Sequence, residues 1–150
     1  MNSKNISLVS GLIFVALIAL AFLYAANLKG ENINYVFINH YKIKVELADT
    51  PQKRGQGLSG RQSLCENCGM LFVFQEPTIP NFWMRDMNFP LDIIWIKDSA
   101  VIGFEENLLP LKDGTSPVYY HPNESITAAL ELNASWIKNH QIKVGDIVKF

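Results

Sequence analysis

Tyr41-Lys42-Ile43-Lys44-Val45-Glu46-Leu47 alternates apolar and charged residues without a break. Side chains in a β-strand point to opposite faces in turn. This heptapeptide therefore reads as a half-buried strand with Tyr41, Ile43, Val45 and Leu47 on its inner face. Tyr35 to Ile38 precedes it, and Asn39-His40 supplies the turn of a hairpin. Downstream, Thr50-Pro51 has the form of a helix N-cap followed by proline at the first helical position. Gly55, Gly57 and Gly60 keep that helix short.

The remaining pattern is also strand-like. Met70-Leu71-Phe72-Val73-Phe74 is apolar throughout, as expected of a strand covered on both faces. Phe82 to Met87 and Leu91 to Ile96, joined by Asn88-Phe89-Pro90, are predicted to form a second hairpin. Further strands are expected at Val101–Phe104, Ile126–Leu132, Ile142–Val144 and Ile147–Phe150, with Asn133 capping a short helix that reaches His140. Many short strands between Pro and Gly predict a mainly β fold, a compact antiparallel β-sandwich or barrel with one or two short helices. Helices this short argue against parallel crossovers.

Composition sets the outer limits. The chain has 150 residues, a single-domain length, with 13 basic and 14 acidic side chains. A net charge of -1 excludes a nucleic-acid-binding chain, which needs a basic excess. Only 18% of residues are charged, against the usual ~25%, so an apolar segment weights the average. That segment lies between Lys4 and Lys29 and carries no charge. As a helix it would span about 36 Å at ~1.5 Å per residue, enough to cross a hydrocarbon core of about 30 Å. Residues 1–29 are thus expected to be a single-pass transmembrane anchor, residues 30–34 a linker and residues 35–150 a β-rich domain outside the cytoplasm. A cleaved secretory signal is the alternative, with Ala19-Leu20-Ala21 as its small-x-small site and a secreted domain as its product.

Few motifs carry chemistry. Gly55-Gln56-Gly57-Leu58-Ser59-Gly60 matches G-x-G-x-x-G, but no strand runs directly into it and no amphipathic helix leaves it, so no dinucleotide cofactor is implied. Cys65 and Cys68, the two cysteines, form a C-x-x-C. A local disulfide in an oxidising compartment is the first reading. A metal site lacks two further ligands nearby, and a catalytic dithiol lacks the helix N-terminus that lowers thiol pKa. Neither a metal centre nor an established catalytic motif is therefore expected.

The densest cluster is Phe82-Trp83-Met84-Arg85-Asp86-Met87, followed by Asp92. Alternation places Trp83, Arg85 and Met87 on one face, and Phe82, Met84 and Asp86 on the other. Asp92 opens an apolar strand and needs a partner there. Arg85 is the expected one, with Arg61 next. Glu131 sits between Leu130 and Leu132 and projects opposite them. Arg61, Trp83, Arg85, Asp92 and Glu131 are accordingly the candidate ligand-binding residues, for a small molecule or a glycan. Three functions remain open: a membrane-tethered binding or envelope accessory module, a hydrolase using Asp92 and Glu131 as acid and base, and a structural envelope protein. The tether makes the membrane a partner; a protein partner is unspecified.

Taken together, Val45-Glu46-Leu47-Ala48-Asp49-Thr50-Pro51, Arg54 to Leu58, Arg61, Gly69 to Phe74, Phe82-Trp83-Met84 and Pro90-Leu91-Asp92-Ile93 resemble the prokaryotic domain-of-unknown-function family 192. Leu130-Glu131-Leu132 and Val144-Gly145-Asp146 resemble its closing segments. The resemblance implies a jelly-roll-like β fold and no established activity, substrate or catalytic set. Where the family usually reads Trp-Met-Lys-Asn-Thr, this chain has Trp83-Met84-Arg85-Asp86-Met87, which exchanges an amide for a carboxylate. The C-x-x-C stands where the family usually has a polar turn.

Overall fold

The computed structural model describes residues 34–112 and 114–150. The expected anchor or signal lies outside them. Among the described residues, no helix is long and apolar enough to cross a membrane.

Seven strands form one mixed sheet, in the order β5-β4-β6-β3-β2-β1-β7. They are β1 (Asn34–Ile38), β2 (Tyr41–Ala48), β3 (Cys68–Thr78), β4 (Leu91–Lys97), β5 (Ala100–Leu108), β6 (Ile126–Asn133) and β7 (Val148–Lys149). Helix α1 (Pro51–Gln56) follows β2, and α2 (Trp136–Asn139) follows β6. The sheet curls into a half-barrel. The β7 region reaches back across it, pairing with β1 at Ile38–Val148 and bridging β5 at Ala100–Ile147. The short β7 thus covers part of the β1 edge and touches one end of β5, which blunts edge-to-edge association there.

The β1–β2 hairpin forms as its alternation dictates. Val36, Ile38, Ile43 and Val45 are buried, while Lys42, Lys44 and Glu46 face out. Thr50 caps α1 through its Oγ1, which accepts the Lys53 N–H at 3.2 Å.

Three expectations are corrected. The sheet is mixed rather than antiparallel, because β2 and β3 run parallel, with Val45 beside Gly69 and Leu47 beside Leu71. A parallel pair needs a crossover of about a dozen residues but not a long helix. Residues 49–67, with α1 inside them, suffice. It is one curled sheet, not two stacked ones.

Second, residues 82–87 are not a strand. Phe82 makes a single two-bond bridge to Tyr120, and Asp86 takes a φ of 55° that breaks the run. Alternation holds from Phe82 to Arg85 and then fails, so Met87 is buried with Phe82 and Met84 rather than exposed with Trp83. The segment is held to the sheet by burying those three side chains, each worth about 1.5–3 kcal/mol.

Third, Asn133 ends β6 instead of capping α2. Ser135 is the cap position, with a φ of 67° and no side-chain capping bond.

Apolar side chains fill both faces of the central strands. One cluster includes Ile43, Leu71, Ile94, Leu130, Leu132, Trp136 and Val148 and packs on the face that the curl encloses. The other includes Met70, Phe72, Ile93, Trp95 and Ala129 and lies on the outer face, under Leu58, Phe82, Met84 and Met87. The fully apolar readings of β3 and β4 follow from this double coverage.

Candidate functional site

The outer cluster contains one carboxyl group. Glu131 stands opposite Met70 on β3 and Ile93 on β4, in the middle of the sheet. The alternation that sends Leu130 and Leu132 into the enclosed core sends Glu131 outward, under the covering loops. There it is 6% exposed, and its Oε2 has no hydrogen-bond partner. Burial pushes its pKa up to about 8, with the positive charge of Arg61 opposing only in part. Burial thereby favours the protonated, uncharged form of Glu131 around neutral pH.

Above it opens a pocket of about 350 Å³, lined by Glu131, Gly57, Phe72, Phe82, Trp83 and Tyr119 among others. Gly57, just past α1, has a φ of 52°, which suits glycine. A Cβ there would lie 3.9 Å from Glu131 Oε2 and 3.6 Å from Phe72, in the space above the carboxyl. The glycine-rich turn is thus a wall of the pocket rather than a phosphate loop. Arg54 stands at the rim, donating to the Asp49 and Val73 carbonyls at 3.0 Å each, with its guanidinium 5.5 Å from the centre of the Phe74 ring.

The five candidate residues do not form a single site. Trp83 joins Glu131 at this pocket and stacks on Tyr119, with ring centres 5.7 Å apart and planes 19° apart. Arg61 stays close enough for its charge to act on Glu131, but its guanidinium clasps Glu46 with two hydrogen bonds. Glu46, Met70 and Glu131 form a row across β2, β3 and β6, which explains that proximity. Arg85 lies on the other side of Trp83, 5.4 Å from its ring, and lines a second, wider pocket of about 610 Å³ with Gly60, Asn88 and Lys112.

Asp92 belongs elsewhere, and its expected pairing with Arg85 is corrected. Arg85 is exposed and lies 3.5 Å from Asp86. Asp92 is fully buried and accepts three backbone N–H bonds, from Asn107 (2.9 Å), Ser135 (3.1 Å) and Ile137 (2.9 Å). It pairs in register with Leu132, so its side chain occupies the face opposite to that of Glu131. An acid–base pair of Asp92 and Glu131 is thereby excluded, because the sheet itself separates the two carboxyls.

Cys65 and Cys68 are joined in a disulfide at the start of β3, and the Asn133 side-chain amide donates to the Cys65 carbonyl at 2.8 Å. Neither cysteine lines the pocket. Among the described residues, no three His, Cys, Asp or Glu side chains gather as a metal-holding group.

Sequence reasoning missed Gly57, Phe72 and Phe82 as pocket residues, whereas the aromatic loop Tyr119-Tyr120-His121-Pro122 reads from sequence as one able to stack on a flat ligand, and Tyr119 lines the pocket. The other signal was an unexplained glycine turn; the parallel β2–β3 pairing sets Phe72 beside Ala48, and the Phe82–Tyr120 bridge brings the aromatic loop to the same pocket.

The fold is shared with solved proteins. A protein of unknown function from Novosphingobium aromaticivorans DSM 12444 superimposes with a TM-score of 0.70 at 30% identity, over 77% of this chain and 84% of that one. A protein from Sinorhizobium meliloti 1021, provisionally described as a transcription regulator, gives 0.69 at 29% identity, over 77% and 89%. No curated protein matches the chain. The model of domain-of-unknown-function family 192, described as an uncharacterized ACR, matches residues 35–150. The chain belongs to that family.

Proposed function

We propose that residues 35–150 form a small-molecule-binding module, with the Glu131 pocket as its binding site. The observation that carries this reading is the unpartnered, buried carboxyl of Glu131. A desolvated polar group without a partner costs about 1–3 kcal/mol or more, and a ligand that completes its hydrogen bonding recovers that penalty. The setting fits a recognition pocket, since it combines aromatic and apolar side chains with polar ones, among them Arg54, Gln56, Ser59, Asn81 and Glu131. Trp83 and Tyr119, 39% and 50% exposed and stacked on each other, form an aromatic part of its wall.

The apolar stretch between Lys4 and Lys29, together with a disulfide that persists in oxidising compartments, supports a module held outside the cytoplasm by a membrane anchor. Protease added to intact cells would then degrade the domain while leaving a membrane-embedded remnant. A protected domain would contradict the placement.

The binding reading is tested by backbone NMR of the full chain against a library of small polar and aromatic compounds. The expected result is a set of shifts at Gly57, Phe72, Trp83 and Tyr119 that Glu131→Gln and Trp83→Ala reduce. No compound moving these resonances would contradict a binding pocket.

A further inference from the structure

Resting on that reading, we infer that the pocket selects a compact organic cation: a protonated amine that reaches Glu131, carried on a flat or apolar body that lies against the aromatic wall. Three independent features converge on this class. The floor holds a buried carboxyl oxygen, Oε2 of Glu131, with no hydrogen-bond partner among the described residues. The walls are aromatic: Phe72, Phe74, Phe82, Trp83 and Tyr119 line the space. Aromatic faces carry negative electrostatic potential and attract cations, with Trp and Tyr effective partners. Finally, Gly57 borders the carboxyl without a side chain of its own, and a Cβ there would stand 3.9 Å from Oε2.

The fixed charges nearby do not satisfy this acceptor. Met70 and Ile93, beside Glu131 on β3 and β4, do not titrate, and neither do Phe72 and Phe82 in the pocket wall. Arg61 is the cation whose field reaches the carboxyl, and both its hydrogen bonds go to Glu46. Arg54 at the rim is tied to two backbone carbonyls, and Tyr119 is the remaining titratable group of the lining. Arg54 already rests over Phe74, so this wall holds one cation in the free protein.

Binding then couples to a proton. In the empty pocket burial keeps Glu131 protonated near neutrality, its pKa standing at about 8. An arriving ammonium replaces that proton: the O–H proton leaves for solvent, and the carboxylate formed accepts the ammonium N–H bonds. Affinity for an ammonium therefore rises by about tenfold per pH unit below pH 8 and levels off above it. A neutral ligand shows no such slope.

The experiment is calorimetry on the full chain with benzylamine and its uncharged analogue benzyl alcohol, at pH 6, 7 and 8. A glucosamine and glucose pair, at pH 6, separates an amino sugar from a free amine as the source of the cation. Benzylamine should bind at least tenfold more tightly than benzyl alcohol at pH 8, gain affinity from pH 6 to 8, and release close to one proton at pH 7. That release is read from the dependence of the heat on buffer ionisation enthalpy. Glu131→Gln should reduce benzylamine to the affinity of benzyl alcohol, while Trp83→Ala weakens both several-fold. Each variant is first checked for an unchanged thermal midpoint or backbone NMR fingerprint, and Tyr119→Ala stands in for any that fails.

Benzyl alcohol or glucose binding as tightly as its amine partner, with Trp83→Ala still weakening it, would overturn the cation class and leave the binding reading standing. No binding by any of the four, together with an unresponsive compound library, would overturn both.

Discussion

The carboxylate of Asp92 accepts the backbone N–H of Ile137 at 2.9 Å, across 45 positions of sequence. Helix α2 is too short to stabilise itself and its own cap residue makes no side-chain bond, so Asp92 performs the capping from β4. Its other oxygen holds Ser135 and Asn107, two residues with positive φ, and so fixes the end of β5 as well. This aspartate is part of the framework.

Replacing it leaves three backbone donors without their acceptor, one of them buried and two part-buried. Asp92→Ala should destabilise the fold by about 3–5 kcal/mol, and Asp92→Asn, which keeps one acceptor oxygen, by about 1–3 kcal/mol. Urea denaturation measures both. Where Asp92→Asn remains folded, its benzylamine affinity should equal that of the parent, since the side chain faces away from the pocket.

Glu131 makes stability depend on pH in the direction opposite to that of the surface carboxylates. Its folded pKa of about 8 exceeds the ordinary value of 4.5, so the folded state holds a proton that the unfolded state releases between these limits. Stability should therefore fall as pH rises from about 5 to 8, by up to ~1.4 kcal/mol per unit, and then level off. Glu131→Gln should flatten that slope. Glu46 and Asp49 have lowered pKa values, through hydrogen bonds from Arg61 and Lys53 respectively, and their contribution is lost only on the acid side, as pH falls below about 4.5. Chemical denaturation at about pH 3, 4, 5, 6, 7 and 8 separates the two effects.

Gly69 sets the approach of β3 to β6. A Cβ at this position would lie 2.6 Å from the Glu131 backbone oxygen and 3.0 Å from a Leu132 methyl. Gly69→Ala should destabilise by about 1–3 kcal/mol through that clash, read as a lowered thermal midpoint. It should also disturb the pocket, because the displaced backbone carries Glu131.

The disulfide should matter less. Cys65 and Cys68 are three positions apart, so joining them restricts the unfolded chain only slightly. Cys65→Ser with Cys68→Ser should cost about 2 kcal/mol or less and leave benzylamine affinity unchanged. Calorimetric unfolding and the binding isotherm check the two halves of this expectation.

Local features were legible wherever one physical signal decided them. Alternation fixed the β1–β2 hairpin, Thr50-Pro51 fixed the start of α1, and the pairing of Ile94 and Ile96 opposite Leu91, Ile93 and Trp95 followed from strand geometry. What failed was non-local. Nothing in Ala48 or Cys68 reveals that their strands run parallel, because a crossover of turns carries no periodic pattern. The positive φ at Asp86 ended a plausible strand without a glycine to announce it. Asp92 and Glu131 look alike in sequence, each a carboxylate among apolar residues. Their contrast arises from register: one meets the N-terminus of α2, and the other lies buried beneath a pocket with no partner for its Oε2.

The protonation state of the Glu131 carboxyl is open to direct observation. The ¹³Cδ resonance of Glu131, assigned by its loss in Glu131→Gln, reports that state directly as pH is varied. The predicted titration midpoint is about 8 in the free protein, shifting downward when benzylamine saturates the pocket. A midpoint in the ordinary carboxylate range, unmoved by the amine, would contradict both the buried neutral acid and the ligand built upon it.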